Sequence, residues 1–256
     1  MRSPVRIALA LLVFVAAACS SGDDDAAPTT TTTTEAVTTT TEGTTTTVPV
    51  PPATTLVARS EVDVIDVYGA AEGGAPTMQL DRRAETTGNL VFVVEDEAAD
   101  ANGRHQVQLP VRPNGSTGWV NASDVSLTVH DYRIEIELAA FELRVMKGGD
   151  VLLTTPIGVG TQDTPTPGGV YYIKELLQPP SPTGPYGTYA YGLSGFSNVL
   201  ESFAGGNGVI GIHGTNQPDL IGTNVSHGCI RVENAVISEL VEDVGLPLGV
   251  PVEIQA

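Results

Sequence analysis

Ser226-His227-Gly228-Cys229-Ile230-Arg231, with His213-Gly214-Thr215 upstream, is the stretch on which the reading of this chain turns. The sequence holds two cysteines, Cys19 and Cys229. Cys19 falls in a leader-like segment, so Cys229 is the thiol of the folded part and has no partner for a disulfide. A cysteine kept unpaired in an exported chain calls for another role. A nucleophilic thiolate supported by an imidazole is the leading one.

Working outward, the surrounding pattern is β-rich. Val209-Ile210-Gly211-Ile212 is a short apolar strand that delivers His213 at its end. Upstream, Ile134, Ile136 and Leu138 alternate with Arg133, Glu135 and Glu137, the mark of a half-buried strand. Lys147-Gly148-Gly149-Asp150 between two apolar runs predicts a hairpin. Val170-Tyr171-Tyr172-Ile173 predicts a further strand behind the turn Thr164-Pro165-Thr166-Pro167-Gly168-Gly169. Residues 176–207, rich in Pro, Gly, Ser and Tyr, read as one long loop over a cleft. Ile237, Leu240, Val241 and Val244 repeat at helical spacing, with Asn234 as the expected cap. Val250-Pro251-Val252-Glu253-Ile254 is expected at a sheet edge, where a proline is tolerated.

The fold class expected is mainly β with one or two short helices, in two domains behind a leader and a tether. Residues 1–18 read as a signal peptide, with Arg2 and Arg6 before a short apolar run. Ala16-Ala17-Ala18-Cys19 resembles the bacterial lipobox, which makes Cys19 a lipidation site and the lipid a membrane anchor. The alternative is an ordinary secretory signal cut after small residues. Residues 19–58 are dominated by threonine and are expected to form a disordered tether, open to O-glycosylation. Residues 59–128 show short alternating runs and a Pro113-Asn114-Gly115 turn before Trp119, the only tryptophan, and suggest a small SH3-like β-domain. Residues 129–256 hold the chemistry. A net charge of −18 argues against nucleic acid as a partner.

Thr164-Pro165-Thr166-Pro167-Gly168, His213-Gly214-Thr215 and Ser226-His227-Gly228-Cys229-Ile230-Arg231 together resemble the catalytic signature of the L,D-transpeptidases, the YkuD family. The likeness covers about residues 130–255. It implies a β-sandwich or open barrel and a cysteine that takes an acyl group from a peptidoglycan stem tetrapeptide, releasing the terminal D-alanine. The acyl group then passes to the side-chain amine of a neighbouring stem, giving a 3→3 cross-link. It also implies peptidoglycan stem peptides as partners, carbapenem-type β-lactams as covalent inhibitors, and work in the cell wall from the outer face of the cytoplasmic membrane. The same acyl-enzyme would serve an L,D-carboxypeptidase, with water as acceptor. A wall-binding lipoprotein without turnover is the reading of a different class.

The residue types suit acyl transfer. A thiol is mostly protonated at neutral pH, so a base or a cation beside it is needed. The resemblance favours His213 as general base and acid. His227, two positions before Cys229, is left for positioning or oxyanion support. Gly228 brings backbone close to the substrate, and the Gly228 and Cys229 amides are the candidate oxyanion hole. Arg231, Ser226, Thr215 and Tyr191 are expected on the substrate side, with Tyr171, Tyr186 and Tyr189 as further cleft candidates. Arg231 has two readings, a pair for a substrate carboxylate or a brace around the nucleophile. Zinc on His213, His227 and Cys229 would lack the close ligand pairs of such sites. No metal or other cofactor is expected. His105 and His130 have no motif around them.

Overall fold

The computed structural model describes residues 54–86, 88–96, 103–203 and 205–255. The signal peptide, Cys19 and nearly all of the Thr-rich tether lie outside the described residues. The tether's expected end at 58 falls inside a strand, β1 (Thr55–Ser60).

The first sheet contains β1, β2 (Val64–Tyr68), β3 (Met78–Asp81), β4 (Val91–Asp96), β5 (Arg104–Gln108), β6 (Thr117–Asn121) and β7 (Val125–His130) in the order β3-β2-β6-β5-β4-β1-β7. A single turn, α1 (Arg82–Glu85), follows β3 and is capped by the Asp81 side chain on the Arg83 amide. Alternate residues of this sheet, among them Ile65, Val67, Phe92, Val107 and Val120, point inward and form a separate core.

The rest of the chain contributes β8 (Tyr132–Glu137), β9 (Glu142–Lys147), β10 (Asp150–Pro156), β11 (Val159–Gly160), β12 (Gly169–Leu177), β13 (Ala190–Phe196), β14 (Val209–His213), β15 (Asn224–Ser226), β16 (Ile230–Arg231), α2 (Asn234–Glu242) and β17 (Pro251–Gln255). Eight of these strands run β10-β9-β8-β17-β12-β13-β14-β16, and β11 pairs with β15 beside them. Ile134 and Ile136 on β8 and Leu143 and Val145 on β9 share one face, as the alternation requires, and α2 covers it with Ile237 and Leu240. Burying each such side chain is worth roughly 1.5–3 kcal/mol, enough to fix the strand register. The hairpin at Gly148-Gly149 forms between β9 and β10.

Three sequence expectations change here. β17 is interior, parallel to β8 and antiparallel to β12. Pro251 is accommodated because it is the strand's first residue, where its missing N–H breaks the fewest bonds. The long loop of 176–207 is interrupted by β13, all seven of whose residues are buried. β13 lacked a continuous hydrophobic signature because Gly192, Ser194 and Gly195 interrupt Tyr191, Leu193 and Phe196. A Cβ on Gly195 would lie 2.4 Å from the Tyr171 ring, so the strand must be bare there. Finally, α2 is preceded by Glu233, which makes no side-chain cap, and Asn234 is its first residue rather than its cap.

The two sheets belong to one compact unit. Val57 and Val91 of the first sheet pack on Tyr172 of the second. The Tyr172 hydroxyl donates to the Gln108 carbonyl, and Gln108 Nε2 donates to the Val170 carbonyl at 3.1 Å.

Candidate active site

Strand register joins what the sequence keeps apart. β14 and β16 are parallel neighbours, with Ile212 opposite Ile230 and His213 opposite Arg231. The Val232 N–H then donates to the His213 carbonyl at 3.0 Å, which extends the ladder by a rung. Cys229 immediately precedes β16, at the end of the turn that feeds this ladder. Cys229, Arg231 and His213 border one cavity of about 260 Å³, with Leu200, Phe203 and Ile210 as part of its apolar lining.

The nucleophile turn is braced from below. Gly228 has φ +112°, a conformation that a side chain rarely adopts, and it packs against the Pro165 carbonyl. Thr164 Oγ1 donates to the Ser226 carbonyl at 3.3 Å, and the Thr161 N–H donates to the same oxygen at 3.0 Å. The Thr-Pro-x-Pro-Gly turn therefore supports the segment that carries Cys229. Ser226 Oγ donates to the Cys229 carbonyl at 2.5 Å and accepts the Gly228 N–H at 3.1 Å. That second bond changes one expectation: the Gly228 amide is engaged within the turn and does not point at a substrate. The Cys229 N–H makes no hydrogen bond among the described residues, and is the amide left for an oxyanion.

His213 is 4 % exposed. Its Nδ1 lies 2.6 Å from the Gly214 carbonyl oxygen. A carbonyl only accepts, so Nδ1 carries the proton and Nε2 keeps its lone pair for a second proton. Burial pushes the imidazole down to about 4; the Gly214 carbonyl opposes this, and the Arg231 charge adds to it. Burial pushes the Cys229 thiol up, against the pull of the Gly211 backbone and of Arg231. Both shifts favour a neutral thiol and a neutral imidazole at this cavity over a thiolate–imidazolium pair. Arg231 Nη1 donates to Gln217 Oε1 at 3.1 Å, while its buried Nε has no partner among the described residues.

The other expected residues separate into two groups. His227 borders the cavity but is exposed, its ring stacked on Phe203 at 4.8 Å. Ser226 is buried in the turn. Thr215 and Tyr191 are buried away from the cavity: the Thr215 hydroxyl accepts the Gln217 N–H, and the Tyr191 hydroxyl donates to the Leu240 carbonyl beneath α2. Tyr191 therefore fastens the helix, because residues 190–196 form a strand and turn it inward. The tyrosine at the cavity is Tyr186, its ring 4.9 Å from that of His213. Burial and the nearby Cys229 push its hydroxyl pKa up. Tyr171 is buried on the Gly168 carbonyl, and Tyr189 pairs with Glu242.

Asn234 was missed as a site residue. Its Oδ1 accepts the Thr215 N–H at 2.9 Å, and its Nδ2 reaches the Pro182 carbonyl at 3.5 Å. One side chain thus ties the His213-Gly214-Thr215 segment to the loop that carries Tyr186. It lies five positions after Cys229 in sequence, where the pattern of the following helix suggests only a cap.

The region that carries this site is similar to known proteins. The model of the YkuD L,D-transpeptidase catalytic domain matches residues 131–254. A Bacillus licheniformis protein named as L,D-transpeptidase YkuD is 34 % identical over 154 residues, 57 % of this chain and 85 % of the relative.

The chain belongs to the L,D-transpeptidase family.

Bacillus subtilis has a YkuD that is 38 % identical over 109 residues, which cover 43 % of this chain and 58 % of that protein. Among solved structures, the catalytic domain of the E. faecium L,D-transpeptidase is similar at 27 % identity and a TM-score of 0.35, covering 49 % of this chain and 98 % of that one. In this L,D-transpeptidase family member, the matched region begins directly after the first sheet.

Proposed function

We propose that this protein is a peptidoglycan L,D-transpeptidase that forms 3→3 cross-links through an acyl-enzyme on Cys229. The observation that carries the reading is the register of β14 and β16, which sets His213, Arg231 and Cys229 around one cavity. The Cys229 sulfur attacks the carbonyl carbon that joins diaminopimelate to the terminal D-alanine of a donor stem. Its proton passes to His213 Nε2 as the C–S bond forms. The Cys229 N–H stabilises the oxyanion, with His227 shaping the mouth of the cavity. The imidazolium, strongly acidic in its buried setting, protonates the leaving amine. The C–N bond breaks, D-alanine departs, and a thioester remains. The side-chain amine of a second stem then attacks, His213 accepts its proton, and the thiol returns. The apolar lining disfavours water as the competing acceptor, which would give an L,D-carboxypeptidase.

Cys19 and residues 1–18 support an exported, lipid-anchored protein that works in the cell wall from the outer face of the membrane. Peptidoglycan stems are the proposed partners, and carbapenems the proposed inhibitors, since their strained acyl group suits the same thiol. Intact-mass analysis after incubation with a carbapenem tests the nucleophile. Wild type gains one adduct and Cys229→Ala gains none. An adduct on both proteins removes Cys229 from the role.

A further inference from the structure

Arg112 belongs to the small β-domain, in the turn between β5 and β6, yet its guanidinium lies on the connection between β13 and β14. Nη1 donates to the Ser197 carbonyl at 2.8 Å, and Nη2 donates to the carbonyls of Leu200 at 2.9 Å and Asn207 at 3.3 Å. The guanidinium also sits over the Phe196 ring at 4.8 Å. Two residues on, Asn114 Nδ2 donates to the Phe196 carbonyl at 2.8 Å, and Asn114 Oδ1 accepts the Phe196 N–H at 2.9 Å. The turn therefore grips both ends of the connection, whose neck is closed by the Ser197 N–H on the Gly208 carbonyl. Between the gripped points lie Leu200 and Phe203, two apolar walls of the cavity that contains Cys229. Phe203 is 42 % exposed and stacks on His227 at an interplanar angle of 28°. So open a segment has little core of its own to hold it, and the fork of donors on Arg112 supplies what packing does not.

We propose that Arg112 is a positioning residue for the active site: through it the small β-domain sets the apolar wall formed by Leu200 and Phe203, and with it the affinity for the donor stem. The small domain is then part of the substrate site and not only a spacer. The identity of the substrate rests on the function proposed above; the clamp itself does not.

The test compares Arg112→Ala, Phe203→Ala, the double variant and Arg112→Lys in a chain that retains both sheets. KM and kcat are measured with tetrapeptide muropeptides, thiol reactivity with iodoacetamide, and the wall with the NMR signals of the His227 ring protons, which feel the Phe203 ring current. Arg112→Ala is expected to raise KM about tenfold, the loss of charge-assisted hydrogen bonds, with a much smaller effect on kcat. Iodoacetamide should react with Cys229 as in wild type. The His227 signals should move in the direction seen in Phe203→Ala, and the double variant should add little to Phe203→Ala alone. Arg112→Lys should recover only part of the effect, since a point charge cannot span three carbonyls. If Arg112→Ala lowers thermal stability but leaves KM and the His227 signals at wild-type values, the clamp is merely structural and the proposal fails. Additive single effects overturn it equally. If Arg112→Ala does not fold, Arg112→Lys decides: unmoved His227 signals overturn the proposal. A wild-type protein without turnover would refute the proposed function, while the His227 signals would still judge the clamp.

Discussion

The His213 imidazole is oriented by its own chain neighbour, with Nδ1 donating to the Gly214 carbonyl at 2.6 Å. A backbone carbonyl fixes the tautomer without adding a charge. An acidic partner would have favoured the imidazolium, whereas here burial and Arg231 hold the ring neutral. These shifts favour proton transfer from Cys229 that accompanies attack over one that precedes it.

The first expectation concerns the ionisation of Cys229. Its thiol is pushed up by burial, so the ultraviolet thiolate signal of wild type minus Cys229→Ser should appear only above the ordinary thiol range. A thiolate signal at neutral pH would mean a preformed ion pair.

Stability should depend on pH through His213. Its folded pKa, about 4, is below the ordinary value of 6.5, so between these values the unfolded chain binds a proton that the native chain refuses. Stability therefore falls as pH drops from about 6.5 to about 4 and is fully restored above that window. The upper limit is on the order of 3 kcal/mol. His130, also lowered by burial, acts in the same direction. Urea unfolding of wild type and His213→Gln across this range checks it, and the variant should show a shallower slope. Equal slopes would place the shift elsewhere.

The two histidines at the cavity should differ in their effect on acylation. His213→Ala is expected to slow carbapenem adduct formation by about 10²–10⁴-fold, the usual worth of a general base, and His227→Ala by no more than about tenfold. Stopped-flow measurement across pH separates them. The reverse order would exchange their roles.

Asn234→Ala removes the acceptor of a part-buried amide, that of Thr215. The cost should be about 1–3 kcal/mol in urea unfolding, together with slower acylation as the His213 segment loosens. Unchanged stability and acylation would show that the segment is held without Asn234.

Much of this site was legible in the sequence, because short motifs carry their own geometry. Ser226 to Arg231 specify a turn with a glycine at positive φ, and Val209 to Ile212 specify a strand that ends on His213. What was hidden depends on pairing at long range. Nothing in the spacing of His213 and Cys229 says that β14 and β16 lie side by side. β13 escaped because a strand buried against the Tyr171 ring and the Glu175 side chain needs glycines, which read as loop. Tyr191 was expected in the cleft for that same reason. β17 seemed an edge strand because of Pro251, although a proline at a strand's first residue is equally at home inside a sheet. Arg112 and Asn234 act across the fold, and neither has a local pattern to announce it.

The central claim is that Cys229 passes a stem acyl group to an amine. The most direct measurement is incubation of purified protein with tetrapeptide-bearing muropeptides, followed by mass analysis of the products. The account predicts dimers joined by a 3→3 bond with release of D-alanine, absent with Cys229→Ala. Trimmed tripeptides without any dimer would contradict it, and so would dimers formed by Cys229→Ala.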